Sequence, residues 1–231
     1  MFTSSLGKQN NMNIVQAIEK NDFHLTPDMR LDRVQNRMEK QGFNALPVVK
    51  EGTLLGLLKL DALRSAPSST QTLGESDLSL AQIYLFDKQH LFDAIPLMDS
   101  HGINVLPIVG EELAYVGLVS WQGLIHAVNT LLDCEQPGSI LVLEVGQRDN
   151  ALSHIAHIVE SADAQIMSSF TRQIPDSARL EITLKINTTH VAPVVAALHR
   201  YDYIIKSSYH DDIDREDLHA RFEHLMNYIN M

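Results

Sequence analysis

Gly42-Phe-Asn-Ala-Leu-Pro-Val-Val49 returns 60 residues later as Gly102-Ile-Asn-Val-Leu-Pro-Ile-Val109. Working outward, the same offset aligns the whole of residues 31–49, and seven of those 19 positions are identical. Beyond this block, Gly56-Leu-Leu58 matches Gly117-Leu-Val119 at an offset of 61, as one extra residue in a hairpin turn would produce. A repeat of this length indicates an internal duplication in which each copy is one structural unit.

Each copy predicts the order helix–strand–strand–helix. Apolar residues at helical spacing precede the quoted stretch and stop at a glycine that suits a helix C-terminus. One such unit is too small to close a core, so we expect the two copies to pack together. The helical stripes are Leu31, Val34 and Met38, and Leu91, Ala94 and Met98. The strands are 45–49 and 54–58, and 105–109 and 114–119, and the second helices open near Asp61 and Gln122.

Composition excludes several classes of protein. A net charge of −11 over 231 residues repels a phosphate backbone, so nucleic-acid binding is not expected. No apolar run is long enough to span a membrane, and residues 1–13 lack the apolar centre of a signal peptide. The single cysteine, Cys134, excludes an internal disulfide. These features predict a cytoplasmic protein without a membrane or nucleic-acid partner.

The duplicated pattern resembles the CBS domain, in the tandem arrangement called a Bateman module. The resemblance rests on the repeated Gly-x-x-x-Leu-Pro block followed by Gly-h-h-x-x-(acid or amide) and a helix, where h is apolar. It implies an α+β fold, with a flexible segment 1–12, a first repeat at 13–72 and a second repeat at 73–133. CBS pairs also dimerise, so a homodimer that acts on an unknown regulated protein is expected.

After a turn-rich linker at 134–139, the pattern changes. Strands are predicted at 140–145, 164–172, 179–187 and 203–209, with helices at 150–161 and 191–201. The inward positions of the first helix are predicted to be Leu152, Ile155, Ala156 and Val159. This βαββαβ order is ferredoxin-like. Behind a CBS pair, residues 140–210 resemble an ACT domain, and the whole chain resembles the bacterial acetoin-utilisation-type regulatory proteins.

Amino-acid-binding ACT domains carry Pro-Gly at the turn into the first helix, and this chain has Gln147-Arg-Asp-Asn150 there. A dimerising domain is therefore expected rather than an amino-acid sensor. The remaining residues, 211–231, begin with an acidic run and continue with one apolar stripe. They predict a helix that docks on its own domain or its dimer mate, or that binds a separate partner. The stripe consists of Leu218, Phe222, Leu225, Met226 and Ile229.

The CBS resemblance implies a cleft for an adenosine nucleotide such as AMP, ADP or ATP as a regulatory ligand. The family motif Gly-h-h-Thr/Ser-x-x-Asp supplies a hydroxyl for phosphate and a carboxylate for ribose. Here the first repeat keeps Asp61 but has Lys59 at the hydroxyl position, and the second keeps Ser120 but has Gln122 at the acid. The other expected ligand-binding residues are Thr26, Ala45, Leu46, Pro47, Asn104 and Leu106.

Charge favours the first repeat for an anionic ligand. The 59 residues from Gln89 to Gln147 contain seven acids and no Lys or Arg. Lys59 is therefore expected on phosphate and Asp61 on ribose, whereas the second cleft suits a neutral adenosine-like ligand or nothing. In the alternative interpretation Asp61 is a helix N-cap, Lys59 is a solvated charge, and the protein is a ligand-free structural or interaction dimer.

The sequence contains no motif for catalysis. The nucleophile elbow, the phosphate-binding loop, the zinc-protease helix and the dinucleotide fingerprint are all missing. His154 and His157 have the spacing of two metal ligands on one helix face, but no third ligand lies beside them in sequence. We expect neither catalytic residues nor a metal site.

Overall fold

The computed structural model describes residues 13–21, 23–64, 71–146 and 152–210. They fall into two compact units divided between Leu131 and Leu132. Three sequence predictions lie outside the described residues: the flexible segment 1–12, the turn at 147–150 and the helix in 211–231.

The first unit contains the two predicted repeats. The first helix of each ends at a glycine in the left-handed conformation, Gly42 with φ 69° and Gly102 with φ 60°, because only glycine adopts it without cost. The predicted order helix–strand–strand–helix is confirmed in both copies. The first copy consists of α1 Leu31–Gln41, β1 Ala45–Lys50, β2 Thr53–Lys59 and α2 Leu60–Arg64. The second consists of β3 Leu85–Phe86, α3 Ala94–His101, β4 Val105–Val109, β5 Tyr115–Ser120 and α4 Trp121–Leu131.

The two hairpins have the same register. Val48 pairs with Gly56 in the first and Ile108 with Gly117 in the second, and both ladders shift immediately afterwards. The first hairpin closes through the short turn between Lys50 and Thr53, whereas the second contains a 3-10 turn at Glu111–Leu113. The extra residue that changes the offset from 60 to 61 therefore lies in the turn, as predicted.

Each repeat packs against the chain segment that precedes the other repeat in sequence. We call these two stretches the crossing segments. Ile14 and Ala17 pack in the core of the second repeat, and Glu19 N donates to Leu118 O at 2.9 Å. In the same way Ala81 N donates to Leu57 O at 2.9 Å in the first repeat. Spatially, therefore, residues 13–19 belong with the second repeat although they precede the first in sequence.

These crossing segments explain why both copies keep a glycine in the second strand. A Cβ on Gly117 would lie 2.6 Å from Ile18 Cγ2, and one on Gly56 would lie 2.8 Å from Leu80 Cβ. Both distances are shorter than real carbon contacts, so a larger residue would push the crossing segment away.

The second unit contains the strands β6 Ser139–Gly146, β7 Ile166–Gln173, β8 Arg179–Ile186 and β9 Ile204–His210. They form an antiparallel sheet in the order β7-β8-β6-β9. This order and the βαββαβ succession confirm the predicted ferredoxin-like fold. Both helices cover one sheet face, on which Leu141, Leu143, Ile182 and Leu184 are buried. The two helices are α5 Leu152–Ser161 and α6 Ala192–Arg200.

One predicted core position in α5 is wrong. Leu152 is exposed at the first residue of the helix, and Ala156 is only half-buried. The side chains that face the sheet are Ile155, Ile158 and Val159, which share one helix face at spacings of three and four. In the parts of the chain that the structure describes, no helix combines the length and apolarity needed to cross a bilayer.

Candidate ligand clefts

The motif residues of both repeats lie where the second strand ends and the second helix begins. Lys59 is the last residue of β2 and Ser120 is the last residue of β5, and a helix follows each of them directly. Leu57 bonds to Ala81 of one crossing segment, and Leu118 bonds to Glu19 of the other. Each motif therefore lies beside a crossing segment. We call the space beside Lys59 the first cleft and the space beside Ser120 the second cleft.

Two asparagines form a clasp between the repeats. Asn104 Nδ2 donates to Gly42 O at 2.7 Å, and Asn104 Oδ1 accepts from Asn44 N at 3.0 Å. Asn44 reciprocates, since Asn44 Nδ2 donates to Gly102 O at 2.8 Å and Asn44 Oδ1 accepts from Asn104 N at 2.9 Å. The structure therefore uses Asn104, predicted as a ligand residue, to join the repeats. Sequence reasoning missed Asn44, although the identical Asn at the 60-residue offset is the signal for it.

Four predicted ligand residues are buried in the strands. The side chains of Ala45, Leu46 and Leu106 have no exposed surface and belong to the hydrophobic cores, and Pro47 is also buried. Nearly all residues of β1 and β4 are buried, because these strands are covered on both faces. The side chains of these residues therefore pack in the cores, and their contact with a ligand stays a prediction.

Thr26 lies on the segment that leads into α1, directly after Leu25, which bridges to Val48 of β1. The Thr26 side chain bonds to the Asp28 carboxylate, and this bond is the main reason that the pKa of Asp28 lies below its usual 3.8. Thr26 O also accepts from Met29 N at 3.1 Å. The structure thus gives Thr26 a role in closing the turn before α1.

The second cleft contains a cavity of about 370 Å³. Ser120 is buried at its edge, where its Oγ accepts from Gly123 N at 3.0 Å and donates to Glu19 Oε1. Ser120 thereby caps α4, and Glu19 was missed because it lies 101 residues away in sequence. The cavity is lined by Glu19, Asn21, Phe23, Gln41, Gly42, Phe43, Asn104, Ser120, Trp121 and Gln122.

The lining of this cavity combines aromatic rings with polar groups. Phe23 and Phe43 meet edge to face with ring centroids 5.3 Å apart, and Trp121 and Gln122 lie on the first turn of α4. Among the described residues that line the cavity, Glu19 is the charged one, and none is a Lys or an Arg. Such a cavity suits a flat ring with hydrogen-bonding substituents and disfavours a phosphate.

The first cleft has the opposite charge at the equivalent position. Lys59 Nζ donates to His101 O at 3.1 Å, at the last residue of α3, where helix carbonyls attract cations. Asp61 is exposed in the first turn of α2 and lies 3.6 Å from Arg64 NH1. Lys59 is thus not simply solvated, because in this state its ammonium holds the end of a helix in the other repeat.

Within the described residues, no three His, Cys, Asp or Glu side chains are placed to hold a metal ion. His154 Nδ1 lies 2.9 Å from Tyr203 Oη, so this ring hydrogen-bonds within its own unit. Cys134 is exposed.

The chain is similar to known proteins in sequence and in structure. The sequence model of the CBS domain family matches residues 15–69 and 81–130. A CBS domain pair/ACT domain protein from Thermotoga maritima is 20% identical, with 52% of this chain and 99% of that chain covered and a TM-score of 0.46. A Vibrio cholerae structure named for acetoin utilization is 19% identical, with 53% and 94% covered and a TM-score of 0.46. The N-terminal half of this chain is a tandem pair of CBS domains.

Proposed function

We propose that the protein is a non-catalytic cytoplasmic regulator whose CBS pair binds an adenosine ligand and which acts as a homodimer. The cavity in the second cleft is the observation that carries the proposal. It places Trp121, Phe23 and Phe43 beside amide and hydroxyl groups, which is the combination that an adenine ring and a ribose require.

The two clefts accept different parts of such a ligand. In the second cleft, Glu19 and Gln122 are available to the ribose hydroxyls, and the negative charge of Glu19 opposes a phosphate nearby. In the first cleft, we assign Asp61 to ribose and Lys59 to phosphate. The second cleft therefore favours adenosine without phosphate, and the first favours a nucleotide.

Ligand binding in the first cleft would change how the repeats are joined. A phosphate must draw Lys59 away from His101 O, which weakens the attachment between β2 and the end of α3. A ligand that binds one packing of the repeats better than another shifts the population toward it. This exchange of partners gives the sensor a physical means of signalling to a regulated protein.

Titration calorimetry with adenosine, AMP, ADP and ATP tests the proposal. Lys59→Ala should weaken AMP more than adenosine, by about 1.5–3 kcal/mol, because only AMP loses a charge-assisted bond. Asp61→Ala should weaken both ligands alike, because both carry the ribose diol. Lys50→Ala, an exposed lysine at the end of β1, is the matched control and should change neither. Equal losses of adenosine and AMP in Lys59→Ala would remove Lys59 from the site.

A second candidate is the ligand-free structural or interaction dimer. It is favoured by the partners that the motif residues already have: Lys59 on His101 O, Ser120 on Glu19, and Asn104 in the clasp. Absence of heat with all four ligands, together with a dimeric mass by light scattering, would establish it. A monomeric mass at micromolar concentration would contradict the homodimer in both versions.

A further inference from the structure

Within the ferredoxin-like unit, the described helices cover only one face of the sheet. Helices α5 and α6 pack on that face. On the other face Ile140 is 39% exposed, Phe170 is 45% exposed and Tyr209 is 61% exposed. The ladders place Ile140 opposite Tyr209, and Val142 and Phe170 on either side of Thr183, so these residues form one connected surface. We call it the open face.

The charge of the open face differs from that of the chain. Beyond the apolar rows, Glu144 and Glu181 hold a network of ion pairs, in which Lys206 Nζ lies 3.6 Å from an oxygen of each. The cations Arg172, Arg179, Lys185 and Lys206 outnumber these two carboxylates. The open face is therefore positive in a protein whose net charge is −11.

We infer that the C-terminal segment 211–231 of the same chain docks on the open face. The segment begins directly after β9, two residues beyond the exposed Tyr209. It carries six acids and two arginines, and its five stripe residues Leu218, Phe222, Leu225, Met226 and Ile229 are apolar. The acids of the segment complement the positive charge of the open face, and its apolar stripe complements the apolar centre of that face.

Charge and reach select this occupant over a second copy of the face. Two open faces packed on each other would bring positive surface against positive surface, which opposes association. The seven residues 211–217 span up to about 24 Å when extended, enough to cross the sheet, whose neighbouring strands lie about 4.8 Å apart. Direct attachment also gives the segment a high effective concentration at its own sheet.

Cross-linking in the full-length chain tests the docking. In a Cys134→Ser background, Thr183→Cys on the open face and Leu225→Cys in the segment would be treated with a short bis-maleimide. We expect an intramolecular link at the mass of a single chain. The matched control carries His157→Cys in place of Thr183→Cys. His157 is exposed on α5, on the opposite side of the sheet, so this variant should cross-link much less. Equal linking in both variants, or a link between two chains, would overturn the inference.

Limited trypsin digestion supplies a second measurement without engineered cysteines. Arg215 and Arg221 lie in the segment, so docking should slow their cleavage. Phe170→Asp on the open face should raise the cleavage rate about tenfold by releasing the segment, whereas His157→Asp should leave it unchanged. If the wild-type protein is cleaved there as fast as Phe170→Asp, the segment is not docked.

Discussion

The two clefts of the CBS pair share one backbone and carry opposite charges. At the same position of each repeat, the first cleft has Lys59 and the second has Ser120. The crossing segment beside the first cleft contains Ala81, and the one beside the second contains Glu19. One cleft therefore holds a cation, which bonds a helix end, and the other holds an acid, which bonds a hydroxyl. The duplication conserves the packing that forms the fold and changes the groups that face a ligand.

The largest expected effect comes from testing whether the hydrophobic cores of the two repeats are equivalent. Met38 and Met98 occupy matching positions in the two repeats, and neither side chain is exposed. Met38→Ala and Met98→Ala should each lower the unfolding free energy by about 2–5 kcal/mol, because each leaves a cavity. Urea unfolding followed by the fluorescence of Trp121, the only tryptophan, reports on this unit.

Ile125→Ala is the control for the core variants, since this residue of α4 is 62% exposed and its loss should cost less than about 0.5 kcal/mol. A large loss in one methionine variant beside a negligible loss in the other would show that the repeats do not share one packing scheme.

The clasp tests whether the symmetry extends to the junction of the repeats. Asn44→Ala and Asn104→Ala each remove a side chain that makes two hydrogen bonds across the junction, so both should cost about 1–3 kcal/mol. A double-mutant cycle should show coupling of at least about 0.5 kcal/mol, because each side chain bonds to the backbone N–H of the other residue.

Asn36→Ala is the matched control for the clasp. The Asn36 side chain donates to Asp32 O within α1 at 2.8 Å, which is a local bond, and its loss should change stability little. Unequal effects of the two clasp residues would mean that one repeat dominates the junction.

The smallest expected effect concerns a difference at the start of the two repeats. In the first repeat, the Thr26 side chain lowers the pKa of Asp28. The matching residues of the second repeat are Phe86 and Lys88. There the bond to Glu111 raises the pKa of Lys88. Thr26→Val should raise the pKa of Asp28 toward 3.8, as measured by carboxyl NMR titration.

A lowered carboxyl pKa stabilises the fold at pH above the unfolded value, and this contribution is lost as the pH falls through the folded value. The stability difference between Thr26→Val and the parent that comes from Asp28 should therefore be full above about pH 4 and disappear as the pH falls below it. The pKa of Asp32, which is lowered mainly by Arg30, should not move and serves as the control. An unchanged Asp28 would contradict the assigned cause.

The sequence by itself determined the repeat, the element order of both units and most of the core. Periodic apolar residues and the two Gly-x-Asn-x-Leu-Pro blocks are local signals, and burial follows directly from them. The errors occurred where a local pattern is ambiguous. Leu152 continues the apolar stripe of α5, but it lies on the first residue of the helix and its side chain is exposed.

Only the tertiary structure decided what the polar groups of the clefts contact. Glu19 meets Ser120 because the segment before the first repeat crosses to the second, and Lys59 meets His101 O because the repeats face each other. Asn104 and Asn44 likewise find partners about 60 residues away. A hydrogen bond depends on positions within a few tenths of an ångström, and sequence spacing carries no such information between distant segments. Lys59 and Asp61 were visible in the sequence as ligand candidates, whereas Glu19 and the partners of all these groups were set by the fold.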